Sequence, residues 1–138
     1  MTDVAEKMLK RIYSSFSMHN VELMMTVLTK FFSTSYKKII VNENQINQLK
    51  QIFASRRGPV IFVPTHRSYV DFLVVSTILY YYGMEVPLIC AGEDFLNLAV
   101  VADMLRGAGA FFMRRTFRGD DLYKSIFYEY VRLLNKDR

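Results

Sequence analysis

"GPVIFVPTHRSYVDFLVVSTILYYYG", residues 58–83, decides how the chain folds. It begins with a short continuous apolar run, PVIFV (59–63), the mark of a strand buried on both faces. A proline and a polar turn follow, then a longer apolar run that stops at Gly83. The second run is too long for an ordinary strand and reads as a helix through Tyr82. Strand, turn and helix within 26 residues predict one step of an α/β fold.

The same step recurs downstream. VPLICA reads as a strand, Asp94 to Arg106 as a helix, AFFM (110–113) as a strand, and Asp120 to Asn135 as a final helix. Strands alternating with helices through short links argue for a largely parallel sheet flanked by helices. Upstream, SYKKIIVNE (35–43) reads as a short strand, and residues 42–58 as a helix ended by Gly58. Ala5, Met8, Leu9, Ile12 and Phe16, then Val21, Met24, Met25, Leu28 and Phe32, recur at helical spacing around a break at Met18-His19-Asn20. The predicted organisation is an N-terminal helical segment, 1–34, followed by the first half of an α/β domain, 35–138. His19 falls in the predicted turn and takes no role.

Composition narrows the partners. With 51% hydrophobic residues, the 138-residue chain is long enough to bury a core and is a poor candidate for disorder. Its net charge of +5 favours an anionic partner. Nucleic acid is the weakest choice, because no zinc spacing, glycine-rich dinucleotide fingerprint or one-sided basic helix is present. The lone cysteine, Cys90, lies in apolar PLICAG and is expected to be a small buried hydrophobe. Neither histidine, His19 or His66, has partners at ligand spacing, so no metal site is expected. No secretory signal opens the chain, and its longest uncharged run, 72–84, falls short of the ~20 residues that cross a bilayer.

The polar turn at 64–71 admits two readings. Ser68-Tyr69-Val70-Asp71 has the S-x-x-D form of a capping box, which accounts for Asp71 without chemistry. Alternatively, His66 is a base for an oxygen nucleophile, with Asp71 holding its other ring nitrogen. Along a regular helix, side chains five apart diverge by about 140°. The two can therefore meet only if His66 lies in the loop and Asp71 in the first helical turn. In an open α/β sheet, ligands bind beyond the carboxyl ends of strands. His66 after strand 59–63 and Arg114-Arg115 after strand 110–113 would share one rim if those strands were parallel neighbours. Taken alone, Arg114, Arg115 and Arg118 read first as a solvated basic edge.

HRSYVD (66–71) resembles the H-x4-D motif of the glycerolipid acyltransferases, and GAFFMRRTF (109–117) resembles their second block, G-x-x-F-I/M-x-R. With the flanks PTHRSYVDFLVVS, AGEDFL and LYKSIFYEYV, the chain is similar to the glycerol-3-phosphate / dihydroxyacetone-phosphate branch, over roughly 59–134. Tyr69, Asp71-Phe72 and Met113 lean towards the dihydroxyacetone-phosphate enzymes. The resemblance implies transfer of an acyl group from acyl-CoA, as co-substrate and without a cofactor, to the hydroxyl of a three-carbon phosphate. His66 would be the general base and Asp71 its orienting carboxylate. Arg115, with Arg114 and Arg67 as further candidates, would bind the substrate phosphate. It also implies a membrane surface as partner and the peroxisomal membrane as location, with a mitochondrial glycerol-3-phosphate enzyme as the alternative. The family's later blocks, an E-G-x-R-S-like segment and a proline-containing apolar segment, do not follow Arg138. The chain is accordingly expected to be a shortened form, either enzymatic or a non-catalytic membrane-associated one.

Overall fold

In the computed structural model, residues 2–65, 67, 68 and 70–136 are described. The elements run α1 (Thr2–Ile12), α2 (Met18–Ser35), α3 (Glu43–Ser55), α4 (Val70–Tyr81), β1 (Ile89–Gly92), a 3-10 helix (Glu93–Asn97), α5 (Ala99–Gly107), β2 (Ala110–Met113) and α6 (Asp121–Lys136). They form two compact units, Met1–Met24 with Pro87–Asp137, and Met25–Val86. The mixture of helices with a parallel strand pair is the expected α/β class.

The first unit holds the sheet. β1 and β2 pair in parallel, with Ile89 opposite Ala110 and Gly92 opposite Met113. Their connection runs through α5, the kind of crossover that parallel pairing requires. AFFM is buried at Ala110, Phe111 and Phe112, because both faces of this strand are covered. On one side Phe111 packs with Ile12, Tyr123 and Phe127, and Phe117, Tyr130 and Leu134 close around them. Phe111 meets the Tyr130 ring edge-on at 5.7 Å, an arrangement that suits aromatic quadrupoles. The α1–α2 link is stitched to the end of α5. Ser15 N–H donates to Arg106 O at 3.2 Å and Ser17 N–H to Gly107 O at 2.9 Å. Gly107 lets Asn20 approach closely, since a Cβ there would lie 2.4 Å from the Asn20 side chain and force it to move. Gly109, before β2, has φ +104, a conformation that favours glycine.

The second unit is helical. Asn42 caps α3 by accepting from the N–H groups of Asn44 and Gln45. Phe62 stacks on Phe53 with ring centroids 6.4 Å apart. An open apolar cavity of about 250 Å³ is lined by Phe32, Ile39, Val41, Thr77, Ile78 and Tyr82, with Thr29 and Tyr81, whose hydroxyls hydrogen-bond, at its edge.

Several elements depart from expectation. Residues 36–42 and 59–63 are not strands. Val60 and Phe62 are half-buried while Ile61 and Val63 are exposed, so the segment alternates like a strand but has no ladder partner among the described residues. β2 pairs with β1 instead. The N-terminal break falls at 13–17, which puts His19 inside α2 rather than in a turn. α3 stops at Ser55, with Arg56 taking the left-handed conformation ahead of Gly58. The helix expected from Asp94 is split at Leu98 into a 3-10 turn and α5. Cys90 is exposed rather than buried, because alternation along β1 turns it away from Ile89 and Ala91. Although the residue reaches solvent, the atoms packed around its sulfur partly desolvate the thiol and raise its pKa, which argues against a poised thiolate.

Candidate active site

The second unit carries the turn before α4. Ser68 Oγ accepts from Val70 N–H at 3.1 Å, and Asp71 Oδ2 accepts from Ser68 N–H at 3.0 Å. Each residue satisfies a backbone donor that the helix start would leave orphaned, which is the capping box read from the sequence. Asp71 thus stands in the first turn of α4, half-buried, with one carboxylate oxygen committed to the box. A carboxylate has a second oxygen with which to accept. Arg67 is exposed just ahead of Ser68. His66 and Tyr69 lie outside the described residues. Deeper in α4, Thr77 Oγ1 donates to Leu73 O at 2.7 Å, while the buried Ser76 hydroxyl has no hydrogen-bond partner among the described residues.

The first unit carries the arginine pair. Because Gly92 is opposite Met113, the residues leaving the two strands continue the register as side-chain pairs: Glu93 with Arg114, and Asp94 with Arg115. Arg114 lies 3.8 Å from Glu93 and 2.7 Å from Asp120, stacks 4.2 Å over the Tyr123 ring, and its N–H donates to Tyr123 Oη. Its side chain is only 29% exposed. Glu93 also receives Arg11 at 3.5 Å. Arg115 differs: it is 76% exposed and grips a single oxygen of Asp94, itself 57% exposed, through Nε at 2.8 Å and Nη2 at 2.5 Å. Exposed pairs of this kind contribute about 0.2–1 kcal/mol.

Glu93, Asp94 and Asp120 had no assigned role in the sequence reading. The available signal was register: an acidic pair follows one parallel strand and a basic pair follows its neighbour. Asp120 accepts from Tyr123 N–H, and that bond, with the Arg114 guanidinium, holds its carboxyl below the ordinary value of 3.8. A depressed folded pKa gives stability that is present above the unfolded value and lost as pH falls through the folded one. The Asp120 side-chain carbonyl should therefore titrate with a midpoint below 3.8 in an NMR pH series, and the difference should shrink in Arg114→Ala, where the Tyr123 N–H still holds the carboxylate. A midpoint that Arg114→Ala leaves unchanged would show that the Arg114–Asp120 pair does not hold the carboxylate ionised.

Among the described residues no group of three or more His, Cys, Asp or Glu is placed to hold a metal ion, and no helix is long and apolar enough to cross a membrane.

Comparison with known proteins bears on both blocks. A family model described as Acyltransferase matches residues 38–138. Over 108 residues the chain is 50% identical to dihydroxyacetone phosphate acyltransferase of Mus musculus, covering 78% of this chain and 16% of that protein. Over 107 residues it is 48% identical to the Homo sapiens protein of the same name, covering 78% and 15%. It is 40% identical over 123 residues to glycerol-3-phosphate acyltransferase of Pseudomonas putida, covering 89% and 14%. The chain therefore spans about 14–16% of the length of these relatives. The family model takes in both the capped turn of α4 and the strand that delivers the arginine pair, and on that match the chain belongs to the acyltransferase family.

Proposed function

We propose that the chain takes part in O-acyl transfer from acyl-CoA to the hydroxyl of dihydroxyacetone phosphate, with glycerol 3-phosphate as the second candidate acceptor. The observation that carries the proposal is the turn before α4, where the capping box fixes Asp71 in the first helical turn, five residues after His66. Its supporting context is the family match and the higher identity to the dihydroxyacetone phosphate enzymes, 50% against 40%. His66 acts as general base on the acceptor hydroxyl. Asp71 uses its second oxygen to orient the imidazole and to stabilise the cation formed when the proton is taken. The alkoxide attacks the thioester carbonyl, and collapse of the adduct breaks the C–S bond, the CoA thiolate leaving as thiol with the proton returned by His66. Arg115 binds the acceptor phosphate through its guanidinium fork, with Arg114 and Arg67 adding positive charge. No cofactor enters these steps. Residues 35–138 form the N-terminal part of the catalytic domain and 1–34 a helical lead-in. Ether-lipid or glycerophospholipid synthesis at the peroxisomal membrane is the corresponding role and place, with the mitochondrial outer membrane as the alternative.

A second reading is a non-catalytic, membrane-associated form. It is favoured by Leu23, Val27 and Phe31, an exposed apolar stripe along α2, in a chain of net charge +5. Purified protein given labelled acyl-CoA and dihydroxyacetone phosphate separates the two. Labelled acyl ester of the acceptor supports the enzyme reading; no transfer, with binding to anionic liposomes that Val27→Asp abolishes, supports the membrane reading.

A further inference from the structure

The strand ends of the first unit bring three guanidinium groups, Arg11, Arg114 and Arg115, against three carboxylates, Glu93, Asp94 and Asp120. The basic pair therefore does not present bare positive charge. A phosphate monoester arriving here must displace a carboxylate, and the two arginines differ in how readily they release theirs. Arg114 shares two acids and is stacked on Tyr123, so losing one contact leaves it held. Arg115 is solvent-exposed, and Asp94 Oδ2 sits across its Nε and Nη2 edge. That edge is one of the two forks by which a guanidinium takes a phosphate in bidentate fashion.

We propose that Asp94 is a built-in counter-anion that competes with the acceptor's phosphate for Arg115, and so sets how tightly this site takes a phosphate monoester. The proposal rests on the reading of Arg115 as phosphate ligand. In the free protein Asp94 holds the guanidinium at the strand end in a defined orientation; on binding, the dianion replaces the monoanion on the same fork. The exchange is cheap because water screens the pair, which keeps affinity moderate and release of phosphorylated product fast. An exposed pair of this strength corresponds to roughly a two- to fivefold change in affinity.

Titration with inorganic phosphate, followed through the Arg115 Nε–H resonance or by calorimetry, tests this. Asp94→Asn should tighten phosphate two- to fivefold, Asp94→Glu should return affinity towards wild type, and Asp103→Asn, which removes the same charge from an exposed position of α5, should not tighten it. In an Arg115→Ala background the Asp94→Asn effect should vanish. If Arg115→Ala binds phosphate as well as wild type, the phosphate-site reading fails. If Arg115→Ala weakens binding but Asp94→Asn weakens it too or leaves it unchanged, Asp94 does not compete and this proposal alone is overturned. Tightening that persists without Arg115 would also overturn it, since the effect would be net charge.

Discussion

His66→Ala is expected to lower acyl transfer to dihydroxyacetone phosphate by roughly 10²–10⁴-fold, the usual contribution of a positioned general base. The Asp71 variants make this more than a test of one residue, because Asp71 has two separable tasks. Asp71→Asn keeps an oxygen for the Ser68 N–H but loses the charge that stabilises an imidazolium. It should fold within a few tenths of a kcal/mol of wild type while losing on the order of 10²-fold or more in kcat. Ser68→Ala does the reverse. It removes the acceptor for Val70 N–H, costs about 1 kcal/mol in a denaturant melt, and leaves the acid–base pair in place. Rates and melts must therefore dissociate across the two variants. Should Asp71→Asn transfer acyl groups like wild type, the carboxylate is a helix cap and nothing more, whatever His66 does.

That contrast shows why the turn at 64–71 was legible and other parts of the chain were not. A capping box is a local contract among backbone donors and side chains three residues apart, so sequence specifies it almost completely. The same holds for β2, where AFFM between a glycine and an arginine pair has one economical conformation, and for α6. Residues 59–63 have the composition of a buried strand, yet pairing is a property of two segments, and among the described residues no second strand pairs with them. Cys90 was misjudged for a related reason: its apolar neighbours describe β1 as a whole, while the face each residue takes follows the pleat. The acid pair Glu93–Asp94 does not stand out in the sequence, where Asp94 reads as the start of a helix. Its importance emerges only when the strand register, Gly92 opposite Met113, carries it to Arg114 and Arg115.

The largest expected effect on stability falls at a buried side chain of that strand pair. Phe112, 1% exposed at the centre of β2, is among the largest fully buried side chains, and the Arg106 guanidinium lies 4.8 Å over its ring. Phe112→Ala removes this apolar volume from a site that cannot collapse fully, because the strand is fixed to β1 on one edge by its ladder. The expected cost is about 3–5 kcal/mol, a large share of the ~5–15 kcal/mol that holds a domain folded. Phe112→Leu, which keeps most of the volume, should cost under about 1.5 kcal/mol, and Tyr128→Ala on the exposed side of α6 within about 0.5 kcal/mol. Chemical denaturation gives all three. Because β2 delivers Arg114 and Arg115, the alanine variant should also loosen the paired guanidinium groups, so phosphate affinity should fall in the still-folded protein at low temperature. If Phe112→Ala melts no earlier than Tyr128→Ala, the packing that fixes the β1–β2 register lies elsewhere, and the pairing of Asp94 with Arg115 loses its structural cause.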